Sequence, residues 1–310
     1  MQRIPHPIPY QGSKRNLAPI ILDYFPQSVD TLYEPFAGSA AITLAAIKAK
    51  KAKAAHINDS FVPLMRLWKL IIDDPKTLSQ GYASIWNEQL SNPRFYYDKI
   101  RDEFNDDHDP VKLLFLLARC VKNAIRFNSN GEFNQSPDKR RLGTKPKTME
   151  NHILGAAGIL SHRTKVTHDD YSTVVKLATS KDLVYMDPPY QGTSGQRDTR
   201  YHKQLDFDRF VKETEQLRNR KVPVIISFDG RCGNRIYGTE LPKKLGLVRV
   251  EIHAGRSSQA TLNGANDHTY ESLYLSPDLI CETSSNHSIQ RSVKETNQAT
   301  LPGLELSTRR

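Results

Sequence analysis

Cysteine is scarce in this chain. Cys120, Cys232 and Cys281 are the full complement, an odd number at wide spacing that fits neither a disulfide framework nor a zinc site. They read as reduced thiols, with no metal implied. Long apolar runs are missing too: nowhere do about 18 apolar residues follow one another, which excludes an ordinary membrane-spanning helix. The opening Met1-Gln2-Arg3-Ile4-Pro5 lacks the apolar stretch of a secretory signal. The expectation is a cytoplasmic protein with no membrane partner. Acidic residues are in deficit, 34 Asp and Glu against 44 Lys and Arg, so a polyanionic partner is plausible before any motif is considered.

What is present begins with the placing of that charge. Between Lys122 and Lys165 nine basic residues face three acidic ones, and a concentrated patch is worth more to a phosphate backbone than a dispersed excess. Seven short apolar or β-branched runs end in polar or glycine-rich turns: Thr31 to Phe36, Ala54 to Asn58, Lys165 to His168, Asp182 to Met186, Val222 to Phe228, Leu247 to His253 and Glu271 to Leu275. They read as strands buried in a sheet. Ala40 to Lys50, Phe61 to Ile72 and Phe207 to Arg218 have helical composition or periodicity. That alternation predicts an α/β fold with a doubly wound, mostly parallel sheet. Residues 73–162 break it, with a helical piece over Val111 to Ala124 followed by a basic stretch punctuated by Gly and Pro. They are read as a mainly helical insertion between core segments 1–72 and 163–276. From Pro277 the chain turns Ser/Thr/Asn-rich, so 277–310 is expected to be a flexible tail.

The sharpest local signal is Asp187-Pro188-Pro189-Tyr190, placed after the apolar run Leu183-Val184-Tyr185-Met186, where doubly wound sheets put their ligand sites. Two prolines stop a ladder and fix two φ angles, which makes a rigid device for presenting acceptors; Pro-Pro alone would also suit an ordinary strand-ending turn. An exocyclic base amine is a poor nucleophile because its lone pair is delocalised. A carboxylate from Asp187 and a carbonyl from Pro188 could both accept its N–H groups and favour a pyramidal nitrogen. Tyr190 would offer a face for an extruded base to stack on. Nearer the front, Tyr33-Glu34-Pro35-Phe36-Ala37-Gly38-Ser39-Ala40 turns from strand to helix through small residues. Small residues admit a ligand close to the backbone, and helix-start amides favour a carboxylate. One unit later Asp59 ends the second strand, either as an acceptor for ribose hydroxyls or as a cap for the helix beginning near Phe61.

These residues resemble the Dam-like N6-adenine DNA methyltransferases, over most of residues 4–276. Pro9-Tyr10-Gln11-Gly12-Ser13-Lys14, Glu34-Pro35-Phe36-Ala37-Gly38-Ser39, Asp59 and Asp187-Pro188-Pro189-Tyr190 stand in the family's order. The resemblance implies a Rossmann-like methyltransferase core that binds S-adenosylmethionine through Tyr10, Gly12, Lys14, Glu34, Phe36, Gly38, Ser39, Asp59 and Asp187. Asp169-Asp170-Tyr171 is similar to the family's Asp-aromatic pair, so Asp170 and Tyr171 would engage the cofactor's adenine. Tyr201-His202 falls where the family often has an aromatic pair.

Inside the insertion, Arg126-Phe127-Asn128-Ser129-Asn130-Gly131-Glu132-Phe133-Asn134 is similar to the family's DNA-contacting hairpin. Arg126, Phe127, Asn128, Asn130 and Asn134 then become candidate DNA contacts, since Arg reads guanine, Asn reads adenine and an aromatic can wedge into a vacated stack. Lys139, Arg140 and Arg141 join them as a basic run. That run departs from the family's short Pro/Gly/Arg continuation, so the recognition sequence does not transfer. The implied function is base-flipping methylation of adenine N6 in double-stranded DNA, by a monomer or weak dimer, with a cognate restriction endonuclease acting separately. Cytosine N4 as the target, or a non-catalytic DNA-binding protein on a degenerate scaffold, are the alternatives.

Overall fold

All seven apolar runs enter one sheet. The computed structural model describes residues 4–189, 205–233, 235–256 and 268–280. Its strands are β1 (Val29–Glu34), β2 (Ala52–Asn58), β3 (Thr164–Thr167), β4 (Leu183–Met186), β5 (Val224–Cys232), β6 (Arg235–Tyr237), β7 (Val248–Arg256) and β8 (His268–Leu275). The order across the sheet is β3-β2-β1-β4-β5-β8-β7, with β6 paired to β5. The first five are mutually parallel, while β8, β7 and β6 are antiparallel to their neighbours. The three residues of β6 were not anticipated; the run is too short to show an alternation.

The helices are α1 (Ala18–Leu22), α2 (Ala41–Lys48), α3 (Val62–Asp73), α4 (Pro75–Glu88), α5 (Pro93–Asp107), α6 (Pro110–Arg119), α7 (Pro146–Leu160), α8 (Tyr171–Val175) and α9 (Phe207–Asn219). Three of them start alike: Asp74, Asn92 and Asp109 each accept a backbone amide one turn in, and each is followed by proline. Such a cap satisfies an orphan amide, and proline at the first position sacrifices none.

Residues along the central strands alternate between two apolar layers, as expected of a sheet covered on both sides. Leu183, Tyr185 and Ile225 join one cluster, and Val184, Met186, Val224 and Ile226 join the other. The second layer is closed by Phe210 and Leu217 of α9. The first is much the larger. It runs without a break from the sheet through Trp68 of α3 to Tyr82, Tyr97, Phe104 and Phe115 on α4, α5 and α6. The helices of the 73–162 segment thus bury their apolar faces in the same core as the sheet.

The helix expected over Val111 to Ala124 ends early, at Arg119. Cys120 is extended (ψ 162°) and bridges to Pro137, and Lys122 and Asn123 have positive φ. Asn123 Nδ2 donates to Leu117 O at 2.8 Å and satisfies a last-turn carbonyl, the competition by which Asn ends helices. Beyond β8, Leu279 is buried in the larger cluster; residues 281–310 of the expected tail lie outside the described residues.

Candidate active site

The carboxyl ends of β1, β2 and β4 open onto a cavity of about 300 Å³, within the range of small-molecule sites. Tyr10, Gly12, Lys14, Glu34, Phe36, Gly38, Ser39, Asp59, Asp170, Tyr171, Asp187, Pro188 and Pro189 all line it. The sequence motifs, scattered over 180 positions, therefore converge in one place. Tyr190 and the pair Tyr201-His202 lie outside the described residues.

The opening block and the first turn interlock. Ser39 Oγ donates to Ser13 Oγ at 2.8 Å and Trp68 Nε1 donates to Gly38 O at 2.9 Å. Gly38 has φ 48°, and a Cβ there would stand 3.2 Å from the ring of Tyr10. The position requires glycine both for its backbone and for the ring packed against it. Asp59 supports the same turn: Gly38 N donates to its Oδ2 (3.1 Å) and Phe61 N to its Oδ1 (3.0 Å). Asp59 thus braces the turn that leads into α3, whose N-cap is Phe61 and not Asp59.

Glu34 is engaged differently from a surface acid. Its Oε2 accepts from Thr43 N and from Thr43 Oγ1, so one amide in the first turn of α2 is already taken by the protein's own carboxylate. Burial pushes the Glu34 carboxyl up to about 8, assisted by nearby Asp187 and opposed by the Thr43 hydrogen bonds. Burial thus favours its neutral form.

Across the cavity, Phe36 and Tyr171 lie with ring centroids 5.1 Å apart. Asp170 caps α8 through Ser172 N, and Arg209 on α9 grips it with two contacts of 2.7 and 3.1 Å. Burial would raise the Asp170 carboxyl; the Ser172 and Arg209 hydrogen bonds hold it below its ordinary value. The Tyr171 hydroxyl is buried with no hydrogen-bond partner among the described residues. At the end of β4, Asp187 Oδ1 is 2.9 Å from the ammonium of Lys14, whose side chain is 6% exposed. Lys14 is therefore a buried site residue rather than a surface cation.

Sequence reading missed Asn58 and Arg209. Asn58 is 1% exposed, and its amide is used in full. Nδ2 donates to Pro35 O (3.1 Å) and Asp169 O (3.0 Å), while Oδ1 accepts from Thr167 Oγ1 (2.7 Å) and Asp169 N (2.8 Å). One side chain thereby ties together the ends of β1, β2 and β3. Its place beside Asp59 was the available signal. Arg209 sits just inside α9, where nothing in the sequence distinguishes it from a solvated helix charge.

The Arg126 to Asn134 segment does form a hairpin. Asn134 N donates to Arg126 O (3.0 Å) and Asn128 N to Glu132 O (2.9 Å). Two of its candidate DNA contacts are also engaged within the protein. Phe127 turns inward, its ring 5.4 Å from that of Phe61 on the cavity wall, because burial of an aromatic there outweighs its exposure; Phe133 is buried as well. Asn128 is spent on the turn: its Oδ1 accepts from Asn130 N and Glu132 N, and its Nδ2 donates to Glu132 Oε2. Arg126, Asn130, Asn134, Lys139, Arg140 and Arg141 are exposed, Arg141 being paired with Asp138 at 2.6 Å.

The family model described as D12 class N6 adenine-specific DNA methyltransferase matches residues 10–251. The chain is similar to the type II methyltransferase M1.LlaDCHI of Lactococcus lactis subsp. cremoris, with 25% identity covering 58% of this chain and 64% of that one. With the modification methylase StsI of Streptococcus sanguinis it shares 27% identity over 62% of this chain and 29% of the relative. The retron Ec67 DNA adenine methylase of Escherichia coli is 27% identical over 74% of this chain and 80% of its own length. The chain thus spans less than two thirds of the length of the first curated relatives it matches.

Proposed function

Given that this chain belongs to the D12 class N6 adenine-specific DNA methyltransferase family, we propose that it methylates adenine N6 in double-stranded DNA with S-adenosylmethionine bound in the cavity. The observation that carries the reading is Asp187, followed by Pro188 and Pro189, at the end of β4 on the cavity wall. The residues suit the cofactor. Phe36 and Tyr171 supply apolar faces for an adenine, Asp170 an acceptor for its amine and Asp59 an acceptor for ribose hydroxyls. Bound there, the cofactor supplies an electrophilic methyl group on a sulfonium.

The chain's own contribution is to receive an extruded base and activate its amine. Asp187 and the Pro188 carbonyl accept the two N–H groups, drawing the nitrogen toward a pyramidal form whose lone pair is available. The prolines keep both acceptors in place without reorganisation, and Tyr190 stacks on the base. The 73–162 segment serves as the target-recognition unit. There Arg126, Asn130 and Asn134 reach base edges, while Lys139, Arg140 and Arg141 neutralise phosphates. Among the described residues no helix is long and apolar enough to cross a membrane, and the protein acts beside DNA in the cytoplasm. It works as a monomer or weak dimer, separately from any restriction endonuclease.

The test is single-molecule sequencing of methylation-free duplex DNA after incubation with the protein and S-adenosylmethionine. N6-methyladenine at one recurring motif is expected. Asp187→Ala should lower kcat by roughly a thousandfold or more in a protein that still folds. N4-methylcytosine would keep the scaffold and replace the target base; no mark at all would remove the enzymatic reading.

A further inference from the structure

Lys14 is held by more than Asp187. Its ammonium also lies 3.3 Å from Glu271 Oε2 and 3.5 Å from Gly12 O, while Ser227 Oγ donates to the same Glu271 oxygen at 3.2 Å. Three distant parts of the chain meet at one cation: the opening block, the end of β4 and the antiparallel strand β8. A buried ammonium needs compensation by charge and hydrogen bonds. With Asp187 as the sole anion at this contact, the pair would close on itself and weaken the carboxylate as an acceptor for anything else. A second carboxylate divides the cation's attraction.

The backbone is shaped to bring that second carboxylate in. Between Ser227 and Gly230 the β5–β8 ladder carries a bulge, two residues of β5 facing one of β8, after which Gly230 pairs with Glu271. A Cβ on Gly230 would stand 2.6 Å from Tyr270 O, so the strands approach there as closely as only glycine allows. Bulges beside active sites commonly re-aim a side chain.

We propose that Glu271 is a positioning residue for methyl transfer: by sharing Lys14 it sets the orientation and acceptor strength of Asp187. The proposal rests on the reading of Asp187 as the amine acceptor. Glu271→Gln keeps the shape and the hydrogen-bonding oxygen and removes the charge. Under single-turnover conditions its rate should fall about 10-fold, the size of a displaced rather than deleted catalytic group. KM for S-adenosylmethionine and the melting temperature should match the wild type, and Glu271→Asp should restore part of the rate. In a Lys14→Met background the same substitution should have almost no further effect, because the shared cation is gone.

A wild-type rate in Glu271→Gln overturns the proposal, as does a loss carried by KM, or one that persists in full without Lys14. Should the substitution impair folding, Ser227→Ala tests the same contact. It removes the hydroxyl that donates to Glu271 and should lower the rate about twofold to threefold at unchanged KM; an unaltered rate refutes the proposal. Wild-type enzyme in the same assay separates the two readings: if it makes no N6-methyladenine the acceptor assignment itself fails, whereas an active wild type with an equally active Glu271→Gln removes Glu271 alone.

Discussion

At the cavity the polar side chains answer first to the protein itself. Asp59 receives two backbone amides, Asn58 makes four hydrogen bonds, and Asp170 is gripped by Arg209 and Ser172. Along residues 126–141 the opposite holds. There Asn128 fixes the turn and two phenylalanines anchor it from inside, and apart from the buried Gln135 and the half-buried Asp138 the remaining polar side chains stand exposed. A site for a small cofactor is best prepared in advance, since every frozen side chain lowers the cost of binding. A surface for a long polyanion gains little from rigidity, because its affinity comes from charge near phosphates and displaced counterions.

The contrast breaks most visibly at Asn58. Asn58→Ala leaves the Pro35 and Asp169 carbonyls, the Asp169 amide and the Thr167 hydroxyl without this partner. Unfolding free energy should drop by about 4 kcal/mol, at roughly 1 kcal/mol or more for each lost bond to a buried group. Cofactor affinity should fall with it, while the salt dependence of DNA binding stays as it was. Denaturant titration and calorimetry with S-adenosylmethionine check both; a variant of wild-type stability would mean the strand ends hold without their staple.

A smaller effect concerns Glu34, whose carboxyl is raised from an ordinary 4.5 to about 8 by burial. Folding favours its protonated form. Its contribution is therefore complete below about 4.5 and is lost as pH rises toward 8. Glu34→Gln keeps an oxygen for Thr43 and cannot ionise. Relative to the wild type it should gain stability across that interval, at up to about 1.4 kcal/mol per pH unit. Melting curves from pH 4 to pH 9 that run parallel for the two proteins would show that Glu34 is not neutral in the fold.

The two regions also differed in how far the sequence revealed them. The central strands were legible because parallel strands covered on both faces are apolar throughout, and the cavity motifs because turns and prolines impose local rules that survive without context. Glu271 and Arg209 were not legible. Each meets its partner across the fold, and neither carries a local pattern that separates it from a solvated charge. In the hairpin the sequence gives residue type and leaves orientation open. Phe127 and Asn128 looked like surface recognition groups because residue type suggests chemistry, while orientation is decided by packing against Phe61 and by the geometry of the turn. Helix ends differ for the same reason: Asp74-Pro75, Asn92-Pro93 and Asp109-Pro110 carry a local start signal that the sequence reading passed over, but the stop at Arg119 depends on a bridge from Cys120 to Pro137.

The exposed run Lys139-Arg140-Arg141 offers the mildest break and the cleanest separation of the two regions. Each phosphate neutralised by a basic side chain contributes about 0.9 to the slope of log affinity against log salt. Arg141 is already paired with Asp138, though an exposed pair of this kind is worth little and yields to a phosphate. Replacing all three by Gln should therefore reduce the slope by about two to three and weaken binding the more the lower the salt, with the melting temperature and cofactor affinity as in the wild type. Fluorescence anisotropy on a short duplex at several salt concentrations reads the slope directly. An unchanged slope would place the phosphate contacts on another face, and a loss of cofactor affinity would show that hairpin and cavity are energetically joined, the inward ring of Phe127 on the cavity wall being the contact through which that coupling would run.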